Sequence, residues 1–78
     1  MANFSERVKE LRLKNHMSQE SLGKVLGVKQ DAISTYERGK FYPEVRNLLI
    51  LADHFGVSLD YLTGVIFLRP RHGRFGLN

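Results

Sequence analysis

The chain has 78 residues, no cysteine, and a formal net charge of +4 from twelve Lys/Arg and eight Asp/Glu. That length makes one small domain with a thin stability margin, and the missing cysteines exclude disulfides and cysteine-based zinc sites. The apolar runs are far too short to span a bilayer, and the opening MANFSERVKE lacks the basic-then-apolar pattern of a secretory leader, so a cytoplasmic protein with no membrane partner is expected.

The first helix is predicted from Phe4 to about Asn15. Asn3 is a fair N-cap, and Glu6 stands three residues later, at capping-box spacing. Phe4, Val8 and Leu11 recur at helical spacing and mark the inner face, whereas Leu13 falls off that stripe. The helix is expected to fray through Lys14, Asn15 and His16. Met17 then precedes a Ser18 cap, placed to pack on Leu22 as a hydrophobic staple.

A second helix, Gln19 to Leu26, has Leu22, Val25 and Leu26 on its apolar face. Gly27 stops it, because glycine takes the left-handed conformation without steric cost. Val28 opens a third segment, Gln30 to Arg38, with Ala32, Ile33 and Tyr36 as its buried positions and Gly39 as its stop. Two short helices joined by a tight glycine-containing turn have helix-turn-helix geometry, whose second helix can enter the DNA major groove. Lys29 stands at the N-cap of this helix, where Ser or Thr would serve better: either the cap is simply poor or the lysine has another task.

Pro43 stiffens the approach to a fourth helix, Glu44 to Phe55. Leu48, Leu51, Ala52 and Phe55 follow helical spacing toward the core, while Ile50 points elsewhere. Gly56 ends this helix. Ser58 caps a last short one, Leu59 to Leu62, with Val57 positioned as its staple and Gly64 as its stop. Gly27, Gly39, Gly56 and Gly64 each follow a helical segment, which points to an all-α fold of five short helices over residues 1–64. Residues 65–78 differ in character. Val65, Ile66, Phe67 and Leu68 form an apolar run of high β-propensity, followed by the basic, glycine-rich RPRHGRFGLN.

Charge is unevenly placed. Residues 1–64 hold nine Lys/Arg against eight Asp/Glu, and the tail adds Arg69, Arg71 and Arg74 with no acid. Bulk charge therefore does not establish nucleic-acid binding. Locally, Lys24, Lys29, Arg38, Lys40 and Arg46 cluster around the helix pair, which is compatible with a phosphate-facing surface and equally with a solvated one.

From Phe4 to Leu62 the chain resembles the phage-repressor/Cro family of helix-turn-helix proteins, the Xre type. The resemblance rests on an ordered set: Leu11-Arg12, Met17-Ser18-Gln19-Glu20-Ser21-Leu22, Gly27-Val28, Ile33-Ser34, Tyr36-Glu37-Arg38-Gly39, Pro43 and Leu51-Ala52-Asp53-His54-Phe55-Gly56-Val57. It implies a compact five-helix domain that binds operator DNA as a dimer. It implies that Lys29, Gln30, Asp31, Ser34 and Thr35 face base edges. Gln30 suits adenine, Lys29 suits guanine, the Thr35 methyl suits thymine, and Asp31 can accept from cytosine N4, although a carboxylate near phosphates is repelled unless paired. Gln19 is expected at a backbone phosphate, with Lys40, Arg38 and Arg46 as further phosphate contacts. Arg12 and Glu37 are expected to form a structural pair, and Tyr36 to be core. The chain departs from the family at Gly23, where alanine is usual, at Lys29, which replaces Ser/Thr, and throughout the tail.

The expected function is a sequence-specific transcriptional regulator, a repressor occluding a palindromic operator as a homodimer. Its interface would come from the fifth helix, from Ile50, or from Val65, Ile66, Phe67 and Leu68 acting as an arm. A second reading is an antitoxin-like protein whose main task is binding a protein partner, with autoregulatory DNA binding; a third is the DNA-reading piece of a larger repressor. Catalysis finds no support: His16, His54 and His72 lack metal-ligand spacing, and no nucleophile triad or phosphate loop is legible. No catalytic residue, cofactor or metal is therefore expected.

Overall fold

The computed structural model describes residues 3–64; the Val65–Leu68 run and the rest of the tail lie outside the described residues. Five helices follow in order: α1 (Phe4–Lys14), α2 (Gln19–Leu26), α3 (Gln30–Glu37), α4 (Val45–Phe55) and α5 (Leu59–Thr63). Among the described residues there is no strand, and no helix is long and apolar enough to cross a membrane. Two ends are shorter than the sequence pattern suggests. Arg38 is the C-cap of α3, and Glu44 is the extended N-cap of α4 rather than its first turn.

Side-chain caps start three of the helices. Asn3 Oδ1 accepts from the Glu6 backbone N–H at 3.1 Å and from the Ser5 hydroxyl at 2.8 Å. The reciprocal capping box forms at α2, with serine in the role usually taken by Glu or Gln. Ser21 N–H donates to Ser18 Oγ and Ser18 N–H donates to Ser21 Oγ, each at 3.0 Å. Ser58 caps α5 by accepting from Tyr61 N–H at 3.0 Å.

α1 ends at Lys14, and Asn15 is its C-cap. Asn15 Nδ2 donates to Leu11 O at 2.7 Å, and Met17 N–H reaches back to Arg12 O at 3.0 Å. His16 takes φ 57° to close this reversal, a left-handed conformation that favours glycine. These local hydrogen bonds satisfy carbonyls that a helix end otherwise leaves to water.

Every helix contributes to one core. Phe4, Val8, Leu22, Ile33, Leu51 and Leu62 are fully buried, with Leu11, Leu26, Tyr36, Leu48 and Ala52 around them. Met17, Val25, Val28, Phe55 and Val57 pack on this core from its margin. Truncating one of the fully buried leucines typically costs about 2–5 kcal/mol, a large share of a small domain's stability. The Arg7 guanidinium lies 4.0 Å over the Tyr61 ring, tying α1 to α5.

Candidate nucleic-acid interface

The connection between α2 and α3 is only Gly27, Val28 and Lys29, with Gly27 at φ 75°. Val28 N–H donates to Gly23 O at 2.9 Å, which holds the turn against the α2 backbone. A Cβ on Gly23 would stand 2.7 Å from Val28 O. The departure from alanine at this position thus permits a closer approach of helix and turn. This short, held turn sets the direction in which α3 projects from α2.

Ile33 and Tyr36 root α3 in the core, while Lys29, Gln30 and Asp31 are exposed and Ser34 and Thr35 half-buried. Helical geometry puts Gln30, Asp31, Ser34 and Thr35 on one side, away from Ile33 and Tyr36. Lys29 makes no side-chain cap bond, so its ammonium is not engaged at the helix start. Thr35 Oγ1 donates to Asp31 O at 2.8 Å, which spends its hydroxyl on the helix and leaves the methyl as its outward chemistry.

Beneath this face runs a chain of polar contacts. Arg12 grips Glu37 with both arms, Nε to Oε2 at 2.6 Å and Nη2 to Oε1 at 3.0 Å, and Nη1 donates to Met17 O at 2.9 Å. Both side chains are buried, 10% and 4% exposed, so the guanidinium fork satisfies a carboxylate that would otherwise be desolvated. The hydrogen bond to Glu37 holds Arg12 above the ordinary arginine range; burial opposes this and the Glu37 charge adds to it. A raised cation pKa means that the pair's stabilisation is present below the unfolded value and is lost only as pH rises through the folded one, beyond any working pH.

Glu37 Oε1 also accepts from Gln19 Nε2 at 3.1 Å, and Gln19 Oε1 accepts from Gln30 Nε2 at 3.2 Å. The buried pair therefore orients Gln19 at the start of α2, and Gln19 orients Gln30 at the start of α3. Spacing along the chain did not reveal this link, because residues 12, 19, 30 and 37 meet only in the fold.

Arg38 and Lys40 are exposed where the chain leaves α3, and Lys40 N–H donates to Thr35 O at 3.1 Å, fixing its backbone. Arg46 is exposed on α4 and donates from Nη1 to the buried Asn47 Oδ1 at 3.3 Å. Ile50, a candidate for the dimer interface, is half-buried and packs against the margin of the core, while Val45 and Leu49 are exposed apolar residues of α4. Phe41 and Tyr42, two neighbouring aromatics that the sequence reading passed over, are exposed between α3 and α4. Among the described residues no cluster of His, Asp and Glu could hold a metal ion.

Five helices with a tight second and third pair, and a polar face on the third, define a helix-turn-helix domain. The helix-turn-helix family profile matches residues 8–62, and the chain belongs to that family, in its phage-repressor/Cro type. It is 33% identical over 96% of its length to the SPbeta prophage-derived HTH-type transcriptional regulator YonR of Bacillus subtilis, covering 65% of that protein. It is 42% identical over 76% of its length to repressor protein C2 of Salmonella phage P22, covering 27% of it. The chain thus spans less than two thirds of either relative. The P22 c2 repressor in complex with a synthetic operator superposes with a TM-score of 0.76, at 38% identity over 81% of this chain and 96% of that one.

Proposed function

We propose that residues 1–64 form a sequence-specific DNA-reading domain of a transcriptional regulator, a repressor that occupies a palindromic operator as a homodimer. The observation that carries this reading is the positioned Gln30: it stands on an exposed helix face, tied through Gln19 to a buried ion pair. A glutamine held in place offers its amide to adenine N6 and N7 with less ordering left to do on binding, and a bidentate pair of this kind contributes about 1–3 kcal/mol of discrimination. Lys29, Asp31, Ser34 and the Thr35 methyl flank it as further base contacts. Gln19, Arg38, Lys40 and Arg46 contact phosphates, which supply affinity and salt dependence but no sequence information. The likeness to a repressor seen on its operator supports the same docking.

Binding two half-sites about one helical turn apart needs two copies of α3. The candidates for the surface that pairs them are α5, Ile50 and the Val65–Leu68 segment, and in this reading the regulator works in the cytosol without enzymatic activity. The test is a selection from randomised duplexes with the full chain at about 0.15 M salt, where non-specific phosphate binding is suppressed. An enriched inverted repeat is the expected result; a folded protein that enriches nothing refutes the DNA reading. On the selected site, Gln30→Ala should relax preference at one base pair per half-site and leave the fold intact.

A further inference from the structure

A groove of about 540 Å³ runs beside α3, between that helix and the segment leading into α4. Asp31, Ala32, Thr35 and Tyr36 form one wall, and Phe41, Tyr42, Pro43 and Glu44 the other. Asp31 and Thr35 belong also to the exposed face of α3, so the groove continues the surface proposed above to read bases. Its two aromatics differ. Tyr42 is 60% exposed but stacks on the buried Phe4 with ring centres 5.0 Å apart, and so helps close the core. Phe41 is 67% exposed, and no ring contact engages it among the described residues.

A residue two-thirds exposed contributes little apolar burial to the fold from this position. Its neighbours identify what it meets. Lys40 precedes it directly, and Lys29 and Arg46 are each adjacent in sequence to a groove residue, Val28 and Asn47. Exposed cations thus stand next along the chain to three of the lining residues, while Asp31 and Glu44 in the lining repel phosphate oxygens. A strand of duplex DNA alternates charged phosphates with apolar deoxyribose faces. We propose that Phe41 is a positioning contact for the sugar face of the DNA backbone, with Lys40 on the adjoining phosphate and the ring packed on deoxyribose C–H groups. The inference rests on the DNA reading above and deepens it: the ring adds a sequence-independent apolar contact beside the ionic one of Lys40, and the two together help to hold α3 against the duplex.

An apolar contact and an ionic one differ in their salt signature, because only the ionic one releases counterions. With the full chain on its selected duplex, Phe41→Ala should weaken binding about five- to tenfold, the effect of removing part of a ring's apolar burial. It should do so equally on a scrambled duplex, leave the slope of log affinity against log salt unchanged, and leave the thermal midpoint unchanged; Phe41→Leu should restore most of the loss. Lys40→Ala should instead lower the slope by about one. Unchanged affinity for Phe41→Ala, or a changed slope, overturns the proposal. So does a loss that disappears when uracil replaces thymine in the duplex, since the ring would then be reading a base methyl. A wild-type chain that binds no duplex removes the DNA reading itself, and that outcome is seen before any variant is compared.

Discussion

The two connections that flank α3 are built on opposite plans. On its N-terminal side the chain turns in three residues, Gly27 to Lys29, and is clamped to α2 through Val28 and Gly23. On its C-terminal side seven residues, Arg38 to Glu44, separate α3 from α4, with Gly39 at φ 76° and two exposed aromatics in the middle. The first connection is short, is held to the α2 backbone, and fixes an angle. The second has a looser path and displays side chains: Arg38, Lys40 and Phe41. A DNA-reading helix needs both, a rigid root that sets its direction and a flanking surface that holds it in register. The buried Arg12–Glu37 pair joins the two plans, since Glu37 ends α3 and Arg12 also holds Met17 O just ahead of α2.

The division can be tested by substitution. Arg12→Ala should produce the largest effect, about 3 kcal/mol lost in urea unfolding, because it leaves the Glu37 carboxylate buried without its cation. Glu37→Gln, which keeps the volume and part of the hydrogen bonding, should lose less; equal losses would mean that packing, not charge, holds the root. Gly23→Ala should come next. Alanine gains about 1 kcal/mol of helix propensity but must displace the Val28 carbonyl, an overpacking cost of about 1–3 kcal/mol. A net loss of about 1 kcal/mol is expected, and a stabilised variant would show that the turn yields easily. Lys29→Ser is the smallest and the sharpest. A side-chain cap in place of none should add about 0.5–1 kcal/mol of stability, while affinity for the selected duplex falls. If stability rises and affinity does not change, Lys29 is merely a poor cap.

Much of the fold was legible along the chain because its signals are local. Helical spacing identified Phe4, Val8, Leu22, Ile33 and Leu51 as core, and each glycine stop stands where the backbone turns left-handed. Errors arose where the deciding interaction is not local. His16 takes φ 57°, a conformation that histidine adopts more often than most residues but that its type alone does not specify. Ile50 is half-buried against the core, a position that the spacing of Leu48, Leu51 and Phe55 alone does not give it. Phe41 and Tyr42 look equivalent in sequence and part company only when Phe4 stacks on one of them.

Sequence by itself therefore determined the class of fold, the order and approximate ends of five helices, the family, and the residue types available to α3. Those properties follow from backbone propensity, capping and apolar periodicity, all of which act over a few residues. Tertiary structure alone decided that Gly23 admits the turn, that Gln30 is tied through Gln19 to Glu37, and that a groove opens beside Phe41. Each of these depends on atoms brought together from separate helices, and distances between such atoms are set by packing of the common core rather than by spacing along the chain.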